Sequence, residues 1–285
     1  MSLRSMFANS KEPVIRFSMA EISLKAQDLV GKLSISGLQP KLSVKFDRKS
    51  GELVPAPEGG EYILKPQPQV FPHLPENEQC CMDIAHDLGI DVPEHCLLPL
   101  TDGSFAYVVK RFDRQGAQKI HQEDFSQILG KDKYDGSVEQ VGRKLKEISY
   151  VPGLDVQLFF ERVVLNFLLG NGDAHLKNYS INYREAARIR LSPAYDIVSS
   201  KLAIPQEKEE SALAINGKKN KLSGKDLDVA AEYLGIPPKV RYEKFIGQAG
   251  RIKGLINSSK LNPQEQKKFN AIVKDRYRRM NFGWS

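Results

Sequence analysis

Asn171-Gly172-Asp173-Ala174-His175-Leu176-Lys177-Asn178 is a polar block set directly behind a mostly apolar run, Leu154 to Leu169. In that run Phe159, Val163, Phe167 and their neighbours recur at helical spacing and leave almost no polar face, so it is expected to be a buried helix. Gly170 is its expected stop, because a helix closes readily on a residue free to turn left-handed. The exit of a buried helix seldom carries so many functional groups.

Phosphoryl transfer needs a carboxylate to orient the attacking hydroxyl and accept its proton, and an amide oxygen plus a second carboxylate to hold Mg²⁺. Asp173 and Asn178 have the separation of a kinase catalytic loop, in which the Asp addresses the nucleophile and the Asn the metal. Lys177 is placed to neutralise the transferring phosphate. Beyond the loop, Tyr179 to Tyr183 reads as a strand, Arg184 to Ala187 as a turn and Ile189 to Leu191 as the returning strand. That hairpin would deliver Asp196, in Pro193-Ala194-Tyr195-Asp196-Ile197, to the same edge as Asn178. The competing reading makes Asp173 and His175 turn residues and Asp196 the N-cap of a helix over Ile197 to Lys201. The three residues together at this spacing favour the catalytic reading.

Toward the N-terminus the pattern changes from helical to strand-like. Leu42-Ser43-Val44-Lys45-Phe46 alternates as a strand does, and Tyr62-Ile63-Leu64 is a second strand expected to stop at Lys65, since Pro66 cannot donate to a ladder. A helix is expected from Glu78 to Leu88, closed by Gly89. Glu94 to Leu100 and Ser104 to Lys110 flank Thr101-Asp102-Gly103 as a hairpin. Helices are expected over Gln122 to Gly130, Val138 to Ile148, and from Lys225 onward with breaks at Pro237-Pro238 and Pro263. The fold class is therefore α+β: a small mixed sheet lobe over 1–113 and a larger helical lobe over 114–285.

The 285 residues, 41% of them hydrophobic, suffice for one large domain or two closely joined lobes. No run of about 18 apolar residues occurs, and Met1 to Ser10 lacks the order of a secretory signal, so a soluble, cytoplasmic protein with no membrane association is expected. Cys80, Cys81 and Cys96 lack metal-knuckle spacing and are expected to be reduced, packed thiols. The chain carries a net charge of +7, and Arg251 to Arg279 alone holds nine basic residues against Glu265 and Asp275. The surplus thus sits on a C-terminal helical stretch that is either a solvated face or a surface for nucleic acid or an acidic partner.

The blocks N-G-D-A-H-L-K-N-Y-S and L-S-P-A-Y-D-I resemble the HipA-like serine/threonine kinase toxins. Ser34-Ile35-Ser36-Gly37-Leu38-Gln39-Pro40-Lys41, Tyr62 to Pro66, Glu76-Asn77-Glu78, Val108 to Arg114 and His121 to Phe125 agree in order, so the resemblance runs from about Ser34 to Lys225. With little chain before Ser34, it is similar to the short form of the family typified by HipT. The resemblance implies a two-lobed protein-kinase-like fold, ATP and Mg²⁺ as cofactors, and transfer of the γ-phosphate to a protein hydroxyl, in some members on an aminoacyl-tRNA synthetase. It implies Lys65 on the α and β phosphates with Glu78 as its partner, Asp173 as catalytic base, and Asn178 and Asp196 on Mg²⁺. Val109 to Phe112, with Lys110 and Phe112, would link the lobes and offer backbone to adenine. Gln122 would close the nucleotide pocket, and His175 would stand beside it. Ser34, Ser36 and Gly37 would form the phosphate-facing loop, with Ser34 or Ser36 autophosphorylated. Implied partners are a helix-turn-helix antitoxin, a small separate protein matching the family's N-terminal region, and DNA reached through the complex. The loop departs from G-x-G-x-x-G, and H-R-D and D-F-G are absent, so its geometry must differ from that of common kinases.

Two other classes fit the residues. A metal-dependent hydrolase could use Asp173, His175, Asp196 and His121 as ligands. A non-catalytic kinase-like scaffold could bind DNA or an antitoxin through the basic helices.

Overall fold

A computed structural model describes residues 6–7, 13–18, 21, 40–68, 70–116, 118–185 and 188–284. Ser34, Ser36 and Gly37 lie outside the described residues. Two compact units divide the chain, one of Met1–Gln79 and Pro93–Lys119, the other of Cys80–Val92 and Ile120–Ser285.

The first unit is an antiparallel sheet of order β2-β1-β3-β5-β4, with β1 Leu42–Asp47, β2 Glu52–Pro55, β3 Tyr62–Pro66, β4 His95–Pro99 and β5 Phe105–Lys110. Its core gathers Leu42, Val44, Leu53, Leu64, Leu98, Ala106 and Val108 with Met6, Phe7 and Ile15. Burying a Leu or Val side chain contributes about 1.5–3 kcal/mol. The hairpin turn is where Thr101-Asp102-Gly103 placed it, with Gly103 at φ 81° and its N–H donated to Leu100 O. Strand β3 runs one residue further than expected. Pro66 pairs with Ala106 of β5, whereas pairing with β1 ends at Leu64 opposite Leu42, so the donor that Pro66 lacks is not required there. Lys65 is consequently a buried strand residue and not a solvated tip. Helix α1, Leu74–Asp87, whose residues from Cys80 onward belong to the second unit, begins four residues before Glu78, because Pro75 is tolerated in a first helical turn. A short ribbon of β6, Arg114–Gln115, and β7, Gln118–Lys119, completes the unit.

In the second unit, α2 is Phe125–Leu129, α3 Val138–Ile148, α4 Pro152–Leu169, α5 Ser200–Ala203, α6 Gly224–Leu234, α7 Ala249–Ser258 and α8 Pro263–Arg279. A three-stranded sheet has the order β10-β9-β8, with β8 Gln122–Asp124, β9 Ser180–Glu185 and β10 Arg188–Leu191. Gln122 is therefore in a strand, not in the expected helix. Asp124 forms a capping box with Gln127 and so fixes the helix start at Phe125. The hairpin after Asn178 forms as expected, and α4 is buried along most of its length. Asp155 in the first turn of α4 is fully buried. It accepts hydrogen bonds from Arg190 Nη2 (2.8 Å), Ser149 Oγ (2.6 Å) and Leu191 N (3.0 Å), tying the start of α4 to β10.

The three cysteines are buried thiols, and burial pushes the Cys80 thiol up to about 12. Much of the C-terminal basic surplus is structural. Arg276 and Arg279 each reach Glu210 at 2.7 Å and lie over the Phe167 ring, and Arg251 pairs with Asp87 at 2.7 Å. Lys253, Lys260, Lys267, Lys268 and Lys274 remain exposed. Among the described residues, no helix is long and apolar enough to cross a membrane.

Candidate active site

The polar block begins where α4 stops. Gly170 has φ 68°, and a Cβ there would meet Ile272 Cγ2 at 2.9 Å, so the left-handed cap admits only glycine without strain. A Cβ on Gly172 would lie 2.7 Å from Glu209 O. Between these glycines, Asn171 Nδ2 donates to Asn166 Oδ1 (2.9 Å), and Asn166 Nδ2 donates to the Tyr179 hydroxyl (3.1 Å). This buried relay fastens both ends of the block to α4. Gly172 N donates to Ser200 Oγ at 2.7 Å, which holds the outer side.

Within the block, Leu176–Asn178 is a single 3-10 turn. Asn178 Oδ1 accepts the His175 N–H at 3.0 Å, and Asn178 N donates to His175 O at 2.9 Å. An amide oxygen has two lone pairs, so Oδ1 retains acceptor capacity after that bond. Asp173 is exposed, and its Oδ1 accepts the Tyr134 hydroxyl at 2.8 Å. Burial pushes the His175 imidazole below its ordinary range against the opposing pull of Asp173, which leaves the ring neutral near pH 7. The Lys177 carbonyl accepts the Tyr195 hydroxyl at 2.9 Å, while its ammonium is exposed with no protein partner among the described residues.

The β9–β10 hairpin brings Asp196 to the same place. Ser180 and Ser192 hydroxyls are 2.7 Å apart, Ser192 N donates to Ser180 O, and Ala194 N donates to Asp91 O. These bonds fix the segment from Ser192 to Asp196. Asn178, Asp196, Asn171, Tyr195 and Arg162 line one pocket. Asp196 caps no helix: it sits at φ 55°, a conformation that costs a non-glycine residue about 1–3 kcal/mol, and α5 starts after Ser199. Strain of that kind persists where surrounding structure enforces it, as the Ser192 and Ala194 bonds do here. Arg162 is buried, its Nε and Nη1 have no hydrogen-bond partner among the described residues, and burial lowers its guanidinium to about 10.

An amide oxygen and one carboxylate facing a single pocket are hard donors. They suit Mg²⁺, which keeps several waters and is usually bound through one or two carboxylates plus substrate phosphates. Among the described residues, no three His, Cys, Asp or Glu side chains group as a cage for a transition metal. His121 stands apart from Asp173 in its bonding, 3.7 Å from Glu123 and stacked on Tyr183, so the geometry provides no donor set for the hydrolase alternative.

Lys65, in the first unit, pairs there with Glu78 at 2.5 Å, and its ammonium lies 5.5 Å from the Tyr107 ring centroid. Lys110 pairs with Glu94 at 2.5 Å, and the N–H groups of Lys110 and Arg111 are spent on Glu94 O and Glu61 O. Phe112 is half-buried in the turn that follows β5. Gln122 Nε2, in the second unit, donates to Ser180 Oγ at 2.9 Å. Tyr134, Arg162 and the Asn166–Tyr179 relay escaped sequence reasoning. The one available signal was Tyr134 itself, an aromatic residue in the otherwise polar loop Gly130 to Ser137.

The family model for the HipA-like C-terminal domain matches residues 33–280. A Haemophilus influenzae protein named "Putative kinase" is 33% identical over 265 residues, 82% of this chain and 76% of that one. One of the same designation from Sinorhizobium fredii is 40% identical over 209 residues, 67% of this chain and 50% of its own. The serine/threonine-protein kinase toxin HipA of Shewanella oneidensis is 28% identical over 252 residues, 79% of this chain and 57% of that protein. The chain thus spans three quarters of the first of these relatives and about half of the other two. Among solved structures, the Shewanella oneidensis HipA in complex with HipB and operator DNA has a TM-score of 0.74 at 24% identity, covering 88% of this chain and 66% of that one. The Helicobacter pylori proinflammatory kinase CtkA has a TM-score of 0.60 at 19% identity, covering 94% and 95%. Both likenesses show a kinase-like fold.

Proposed function

The chain belongs to the HipA-like C-terminal domain family, and from that premise we propose that it is an ATP-dependent protein serine/threonine kinase acting as the toxin of a toxin–antitoxin pair. The observation that carries this reading is the convergence of Asn178 and Asp196 on one pocket, with Asp173 exposed between the pocket-lining Asn171 and Ala174.

In the second unit, Asp173 orients the acceptor hydroxyl and takes its proton as the new O–P bond forms and the bond from the γ-phosphorus to the β,γ-bridging oxygen breaks, with ADP as the leaving group. Lys177 lies four residues on and offers its exposed ammonium to the transferring phosphoryl group. Asn178 and Asp196 would hold Mg²⁺, which when bound neutralises charge on the nucleotide phosphates. In the first unit, Lys65 binds the α and β phosphates, its ammonium held by Glu78. Positioning and charge neutralisation supply most of the catalysis, because phosphoryl transfer leaves little covalent work to the protein.

The partners of the relatives extend the proposal. HipB and operator DNA accompany the Shewanella HipA, which supports an antitoxin partner and contact with DNA through the complex, and the family resemblance makes that antitoxin a helix-turn-helix protein. On the family resemblance, the substrate is a protein hydroxyl, with an aminoacyl-tRNA synthetase as the proposed target. Ser34 and Ser36 are the proposed sites of autophosphorylation, and a small separate protein is a proposed further partner. Titration calorimetry with ATP and Mg²⁺ tests the site: Asp173→Gln should bind as the wild type does, and Asp196→Ala should bind more weakly. Antitoxin binding with no ATP binding or turnover would favour the non-catalytic scaffold instead.

A further inference from the structure

We propose that Tyr134 is the positioning residue of the catalytic carboxylate: its hydroxyl holds Asp173 Oδ1 and leaves Oδ2 to receive the acceptor's proton. This inference rests on the assignment of Asp173 as the base.

Asp173 is exposed, and a carboxylate on an exposed turn is free to rotate unless something grips it. Its backbone is fixed, with its N–H donated to Asn171 Oδ1 at 3.2 Å and its carbonyl accepting His175 N at 2.8 Å. Its side chain has a single restraint. Among the described residues, the Tyr134 hydroxyl, at 2.8 Å from Oδ1, is the only hydrogen-bond donor to that carboxylate.

Tyr134 is built to stay in place, although it is 45% exposed. Its loop is tied to the catalytic stretch itself, because Leu176 N donates to Lys133 O at 2.9 Å. On the other side Lys219 Nζ donates to Tyr134 O at 3.1 Å, and Ser126 Oγ to Lys131 O at 2.6 Å. The ring stands edge-on to His175, with centroids 5.3 Å apart and planes at 76°, and the Lys133 ammonium covers one face at 4.6 Å. Burial and the Asp173 carboxylate push the phenol up to about 12, so it keeps its proton and remains a donor at physiological pH. The donor on Oδ1 fixes the rotation of the carboxylate and makes Oδ2, which keeps both of its lone pairs, the more basic oxygen toward the acceptor hydroxyl, which favours one approach for the nucleophile.

The test removes one atom. Tyr134→Phe keeps the ring on His175 and loses only the hydroxyl, so packing is conserved. Initial rates are measured with γ-labelled ATP and the proteins of a bacterial soluble extract as acceptors, alongside Asp173→Asn and thermal melts of each variant. The expected result is a roughly 10- to 100-fold fall in turnover for Tyr134→Phe, with KM for ATP and the melting temperature unchanged. A purely structural role would move the melting temperature, not this split. Wild-type turnover in Tyr134→Phe, or faster turnover, would overturn the inference while an inactive Asp173→Asn left the kinase reading standing. Full activity in Asp173→Asn, or none in the wild type, would overturn both.

Discussion

Lys65 Nζ lies 2.5 Å from Glu78 Oε1, with the two side chains only 4% and 1% exposed. A buried charge stripped of its partner is expensive, so Glu78→Gln should lower unfolding free energy by about 3–5 kcal/mol in urea titrations. Replacing both partners with apolar residues, Lys65→Met with Glu78→Leu, should restore most of that stability. ATP binding should not return with it. A double variant that bound ATP as the wild type does would remove Lys65 from the nucleotide site.

Asp155 clamps the start of α4 to β10 by accepting from Arg190, Ser149 and Leu191 N. Asp155→Ala leaves the buried Leu191 N–H without its acceptor, while the Arg190 guanidinium, 38% exposed, can turn to solvent. A loss of about 1–3 kcal/mol is expected in chemical denaturation, and a loss below about 0.5 kcal/mol would show that the hairpin is held by other contacts.

Glu210 predicts a pH dependence. Burial alone would raise its carboxyl, but hydrogen bonds from Arg279 and Arg276 win and hold it at about 2, against an ordinary 4.5. The folded state binds this proton less readily than the unfolded state, so the stabilisation is fully present above about pH 4.5 and is lost as pH falls toward 2. Asp226, likewise held at about 2 but against an ordinary 3.8, loses its contribution over the narrower window from about pH 3.8 down toward 2. Glu210→Gln should melt lower than the wild type at pH 7, and the gap should close on acidification. A gap independent of pH between 5 and 2.5 would contradict the assignment.

The exposed lysines of α7 and α8 should behave differently from the arginines beside them. Lys267→Glu, Lys268→Glu and Lys274→Glu together should leave the melting temperature nearly unchanged, since surface substitutions usually shift stability by within about 0.5 kcal/mol each. The triple variant should elute from a heparin column at lower salt than the wild type, because each neutralised anion releases counterions. Equal elution would make this face a solvated one.

Local patterns were enough to read the hairpin around Asp102, helix α3, the cap at Gly170 and the hairpin leading to Asp196, because each is a turn signal or a period within one element. Gln122 was misplaced because the decisive contact, pairing with Asn182 of β9, is sixty residues away. The basic segment looked freer than it is for the same reason: Glu210 lies in a different part of the chain from Arg276 and Arg279. Tyr134 and Asp173 are 39 residues apart and share no periodicity, so only the folded loop reveals the bond. Arg162 sits in an apolar helix, where a lone cation gives no hint that it faces a pocket.

Under the proposed function, Asp173 serves transfer of phosphate from ATP to a protein hydroxyl. Mass spectrometry of a bacterial cell extract incubated with the protein and isotopically labelled ATP measures this directly. The wild type should place labelled phosphate on serine or threonine of at least one extract protein, and Asp173→Gln, at the same concentration and still binding ATP, should lower that label by several orders of magnitude. Label from Asp173→Gln equal to the wild type, or none from the wild type, would contradict the claim.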